Sequence, residues 1–394
     1  MSDYSNKFLF ANSTFTFTGS ICECLIDVTH PKGIANHTYR MFPKDVTIHY
    51  AYKMGQGLIS RRNKNATGGH AILPDLLALK FDKPMAVKSF IEKHGYLFPL
   101  DKENDNSIDE ESLFALINRL KASVSLMNVL IADKIDYRQM FALTMYLLLT
   151  QQTSIKYFGG EYHTWKSDIG YYWNNLSSVD IHDPNDERGL LISDYIRPED
   201  ELFFLEFDIG NSDGIEDYRS MTFKAIVLYL FKHINHTQPE SREAIDFLYH
   251  FFKDVGVPES WDYTGELTFL DRDISKSTNF YDGFDTQRKE RLTKLARWTL
   301  KSEIDFNIKT ITPSYDIDSM TPSWHVNTLM AGLYYSLFYM HPNIEQYRYC
   351  ANPNCGMAFL VMVTSHNKMY CSKRCGNAMQ QRKLRRRRME SIKD

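Results

Sequence analysis

Apolar and polar residues alternate near the start of the chain. In STFTFTGS, residues 13–20, phenylalanine and threonine take turns, and DVTIHYAY, 45–52, is β-branched and aromatic. Period-two patterns of this kind predict strands, so residues 7–60 read as strand-rich. SRRNKNATGGH, 60–70, is a polar loop. The period then becomes helical. Val87, Phe90 and Ile91 share one face, and Gly95 is placed as a helix stop. The acidic connector 100–112 ends with Asp109 in a capping position and glutamates in the first turn of the next helix. Residues 111–151 read as one or two densely apolar helices, 155–190 as turn-rich, and 201–210 as a buried strand. Helices are predicted at 219–234, 241–254, 287–304 and 324–340. This order of elements predicts an α+β, helix-dominant body with a strand-rich start. The longest apolar runs, 140–149 and 328–340, fall short of the roughly 18 residues of a membrane span.

Charge divides the chain. Residues 345–394 hold 11 Lys/Arg against 3 Asp/Glu, a local charge of +8. The other 344 residues hold 35 basic and 46 acidic side chains, or −11. A basic tail on an acidic body points to a polyanionic partner for the tail. The N-terminus lacks the basic region and apolar stretch of a targeting segment, so a cytoplasmic location is expected, with no membrane partner.

Four of the six cysteines fall within 26 residues: Cys350, Cys355, Cys371 and Cys375. Two close pairs joined by a spacer can wrap one tetrahedral zinc, each pair giving two thiolates from one local structure. The spacer has a strand pattern from Phe359 to Val363 and a polar turn at 364–368, after which Met369 and Tyr370 can pair back. Cys371 and Cys375 stand four apart, on one face of a starting helix. The expected arrangement is a knuckle, a hairpin and a helix, as in a small treble-clef-like finger, with one structural Zn²⁺. Free thiols or two disulfides are the alternatives. His366, between the pairs, reads as a turn residue beside a complete four-sulfur set.

YCSKRCGN, with CANPNC upstream and an arginine-rich tail, resembles the CGNR zinc finger over about 345–388. Ala378 stands where that family carries arginine, and its gap between the last two cysteines is longer. The resemblance implies a larger N-terminal region, often of the ABATE type found in stress-induced bacterial transcription regulators. FIEKHGYLFPL, 90–100, is loosely similar to a stretch in such regions. The implied division is a body, 1–344, and a finger, 345–394.

Arg382, Lys383, Arg385, Arg386, Arg387 and Arg388 put six positive charges in seven residues. As a helix they would surround the axis, with no apolar face to pack. Their mutual repulsion disfavours a free helix, and phosphates would relieve it. Lys373 and Arg374 stand beside the cysteines and join this candidate nucleic-acid surface. The alternatives are a solvated tail, docking on the acidic body, and contact with anionic membrane.

Candidate catalytic groups have simpler readings. Asp271–Asp273 and Asp316–Asp318 read as turns, Cys22 and Cys24 as structural thiols on one strand face, and His163, His233, His236 and His325 as ordinary helix-end or boundary histidines. No phosphate-binding loop, dinucleotide fingerprint or nucleophile elbow is present, so no enzyme is expected. The function expected is that of a DNA-binding transcription regulator whose body senses a small-molecule or protein signal or joins a second copy of the chain. Two alternatives remain: a nucleic-acid-targeted effector enzyme, nuclease-like, with chemistry in the body, and an RNA-binding protein.

Overall fold

A long antiparallel ribbon organises the start of the chain. β1 (Thr16–Thr29) pairs along its length with β2 (Asn36–Lys53). The other edge of β2 carries β3 (Gly57–Arg61) at one end and β5 (Asn106–Asp109) at the other; β4 (His70–Ala71) follows β3. The β1–β2 register shifts between Ser20 and Cys22, opposite Pro43 and the residues after it. Proline cannot donate to the ladder, so an irregularity is where it belongs. Inward positions change phase there. Phe15, just before β1, and Ile21 within it are buried, then Cys22 and Cys24; in β2 the buried set passes from Tyr39 and Met41 to Ile48, Tyr50 and Tyr52.

The computed structural model describes residues 15–30, 35–53, 55–62, 69–176, 239–254, 258–269, 285–317, 320–341, 343–355, 357–365 and 367–390. The expectations at 201–210, 219–234, Asp271–Asp273, His233, His236 and His366 lie outside these residues. The chain forms two compact units: Met1–Ala132 with Thr153–Thr164 and Ser302–Asp394, and Asp133–Gln152 with Trp165–Lys301.

In the first unit, α1 (Ile72–Leu77) and α2 (Pro84–His94) pack near the sheet. Val87, Phe90 and Ile91 are buried on α2, as their spacing predicts, and Gly95 ends the helix at φ +84. A Cβ there would lie 2.7 Å from the Tyr50 hydroxyl, so glycine is required by both backbone and space. α3 (Glu110–Leu130) begins at Asp109, whose side chain accepts a hydrogen bond from Ser112 N at 2.7 Å. Among the described residues α3 is the one helix long and apolar enough to cross a membrane, a length the shorter runs read from sequence did not reveal. Of its most apolar stretch, 72% is buried within the protein, as in a core helix. Buried Arg119 on α3 forms an ion pair with buried Glu303, which also accepts from the Tyr334 hydroxyl at 2.8 Å. Further elements are the hairpin β6 (Ser154–Tyr157) and β7 (Gly160–His163), the hairpin β10 (Thr312–Asp316) and β11 (Thr321–His325), and α8 (Leu329–Tyr339). The helix expected at 324–340 thus opens as a strand, and Thr328 caps the helix that follows.

The second unit contains α4 (Tyr137–Leu149), α5 (Asp168–Leu176), α6 (Pro239–Asp254), the hairpin β8 (Pro258–Trp261) and β9 (Leu267–Phe269), and most of α7 (Thr286–Ile308). Its core holds Phe141 stacked on Phe251 at 3.9 Å and Trp165 edge-on to Trp298.

Candidate metal centre

The cysteine site is built from a hairpin and a helix. β12 (Glu345–Tyr349) pairs antiparallel with β13 (Ala358–Met362), Tyr349 opposite Ala358. The knuckle Cys350–Cys355 is therefore the tip of this hairpin. This corrects the expected order, in which the spacer after the knuckle folds back on itself. Met369 makes only one bond back, accepting from Ala351 N at 2.9 Å. The reason lies upstream: EQYRY, 345–349, buries alternate residues Glu345 and Tyr347 and offers β13 a full-length partner, which Met369–Tyr370 is too short to do.

Local hydrogen bonds shape the knuckle. Cys350 N donates to Met357 O at 2.9 Å, Cys355 N to Asn352 O at 2.8 Å, and Asn354 N to the Asn352 side chain at 3.2 Å. On the other side, α9 (Lys373–Glu390) starts directly after Ser372. The Ser372 hydroxyl accepts from Cys375 N at 3.3 Å, an N-cap that fixes the first turn where Cys375 projects. Beneath the sulfurs, Cys350, Phe359 and Val361 are buried, with Tyr370 packed against them.

The four sulfurs lie within 4.8 Å of one another, Cys355 to Cys371 at 3.5 Å and Cys371 to Cys375 at 3.7 Å. Zinc–sulfur bonds of about 2.3 Å in a tetrahedron put sulfurs about 3.8 Å apart, so the spacing suits one Zn²⁺ with every position filled by protein. The acid–base chemistry agrees. The Ser372 hydroxyl, then Asn352, draws Cys375 down to about 7, while burial first and then the neighbouring sulfurs push Cys371 up to about 12. Four crowded thiols cannot all ionise alone; a divalent cation removes that conflict. The four cysteines can thus hold one structural zinc. No bond pairs them as disulfides: all are free.

Lys373, Arg374, Arg382, Lys383 and Arg385 are all exposed on α9. For Arg386, Arg387 and Arg388 the backbone alone is described, and it remains helical to Glu390. This is the basic helix expected of the finger, and it is not a free one. The site anchors the first turn, which supplies the costly nucleus, and later residues only propagate it.

Sequence reading did not find the anchors of the hairpin. Glu345 is 1% exposed; its carboxylate accepts from the Tyr52 hydroxyl at 3.1 Å and Gly55 N at 2.6 Å. Asn128 donates to Tyr347 O at 2.7 Å. The alternation in EQYRY, with acidic Glu345 on the buried side, was the available signal. The other candidates are not drawn to this site. Cys22 and Cys24 are buried in β1 with Glu23 exposed between them, and burial pushes Cys22 up to about 12. His163 bonds Ser154 at 3.0 Å, and His325 is exposed.

No curated protein and no solved structure matches the chain. Residues 346–388, which hold the knuckle, the hairpin return and the basic helix, match the family model of the CGNR zinc finger.

Proposed function

We propose that this chain is a nucleic-acid-binding protein, a DNA-binding transcription regulator whose body receives a signal or joins a second copy of the chain. The observation that supports it is the helix α9. Its first turn is tied to the cysteine site, and exposed Arg382, Lys383 and Arg385 extend from that base with no acidic side chain before Glu390. Charge that cannot pack in a core is then presented at a set position, where phosphate oxygens can meet it. Arginine predominates, and its planar fork suits phosphate and guanine edges. Zinc supports this surface without entering any chemistry.

The test is binding of duplex DNA, single strands and RNA across a salt series. Six neutralised phosphates would give a log–log slope up to about −5, and replacing Arg382, Lys383 and Arg385 by alanine should flatten it by up to about 3. A flat response in the parent chain would sink the reading. Preference for RNA over duplex DNA would replace the DNA assignment.

A further inference from the structure

A cavity in the first unit lies away from the cysteine site, with a volume of about 270 Å³. Its walls come from β1, β2, the segment after α2, the β6–β7 turn and the start of α8. Five aromatic rings line it: Phe17, Tyr50, Tyr96, Phe98 and Phe158. No carboxylate, ammonium, guanidinium or imidazole does so. Its polar groups are hydroxyls and one amide, among them Thr18, Ser20 and Asn327.

The walls are held in place before any ligand arrives. Phe17 stacks on Tyr50 at 4.6 Å, and the Tyr50 hydroxyl donates to His94 O at 2.7 Å. Tyr96 meets Phe98 edge-on at 5.7 Å, and Phe98 stacks on Tyr157 at 5.2 Å. Phe158 differs: it is 57% exposed, an unusual position for so large an apolar ring. It also lines the adjoining cleft, with Tyr96 and Pro99.

We propose that this cavity is a binding site for a neutral, planar aromatic small molecule of one or two rings. Its volume sits just under the usual range of about 300–1,000 Å³, which suits a compact ligand. Aromatic walls favour a flat partner by stacking and edge contacts. An uncharged lining offers a bound charge no opposite charge to offset the water it loses. The hydroxyls and the amide can orient one polar substituent. Binding here does not depend on the finger or on nucleic acid.

Calorimetric titration of the full, zinc-loaded chain with 2-naphthol tests it, with 2-naphthoate as the charged counterpart. Saturable one-to-one binding of 2-naphthol is expected, with 2-naphthoate much weaker. Phe158→Ala should weaken it roughly five- to tenfold, the loss of one aromatic face. Thr18→Trp should abolish it by filling the cavity with a ring. Both positions are exposed, so far-ultraviolet circular dichroism, which reads the backbone, should match the parent; if Thr18→Trp is misfolded, Phe158→Ala decides. The proposal is overturned by an absence of saturable binding, by 2-naphthoate binding as tightly, or by unchanged affinity in Phe158→Ala.

Discussion

Cys355 closes the knuckle with its sulfur 3.5 Å from that of Cys371. Cys355→Ser replaces a thiolate by a hydroxyl that rarely ionises, so zinc content should fall well below one per chain by elemental analysis. Full zinc in that variant would reject this ligand set. A second residue-scale effect sits far from the cysteines. His94 is fully buried, its ring nitrogens 2.7 Å from Ser60 Oγ and 2.8 Å from Asp75 Oδ2. Burial lowers its proton affinity, although the Asp75 carboxylate opposes this. The unfolded histidine titrates near about 6.5. Below that value the unfolded state binds the proton more readily than the folded one, so stability falls as pH drops. The urea midpoint should decline from pH 7 to pH 5 in the parent and decline less in His94→Gln. Asp75 acts lower on the scale. Burial raises its pKa, but hydrogen bonds from His94 and Lys93 outweigh that and hold it below the usual carboxylate value. Its contribution is therefore lost only in stronger acid.

Among the elements, helix ends were the most legible features. Asp109 caps α3 and Gly95 stops α2 because the chemistry of each end is local: an oxygen for an orphan N–H, a residue without Cβ for a positive φ. Asp109→Ala should cost about 1 kcal/mol in denaturant unfolding. Gly95→Ala should cost about 1–3 kcal/mol, since it adds strain to a clash with Tyr50. Strand existence was legible too, in the Phe–Thr alternation of β1 and in 358–362. Strand partnership was not. Period two says which side chains share a face and nothing about which strand lies beside them. The phase change in β1 and β2 and the pairing of β13 with β12 both belong to that missing information.

At the largest scale, the finger is part of the first unit and is held to the rest of it through buried polar contacts. Glu345 at the root of the hairpin holds Tyr52 and Gly55, and Tyr347 accepts from Asn128. Glu345→Ala leaves the hydroxyl of buried Tyr52 without its acceptor and should cost about 1–3 kcal/mol. Chelation of zinc should then reach beyond the cysteines. Hydrogen exchange should quicken in β12 and in the β2–β3 turn as well as in the first turn of α9. Exchange changes confined to 350–375 would show that the hairpin keeps its place without metal.

The sequence alone determined the four-cysteine cluster that can hold zinc, the basic helix, the Asp109 cap and the Gly95 stop, because each rests on residues close in the chain, where spacing is geometry. It also placed the CGNR resemblance within a residue of the matched 346–388. The tertiary structure alone decided the hairpin partner of β13, the anchoring of Glu345, the Arg119–Glu303 pair and the aromatic cavity. These join residues up to 293 positions apart, and no local pattern of hydrophobicity or charge records which distant segment a buried side chain will meet.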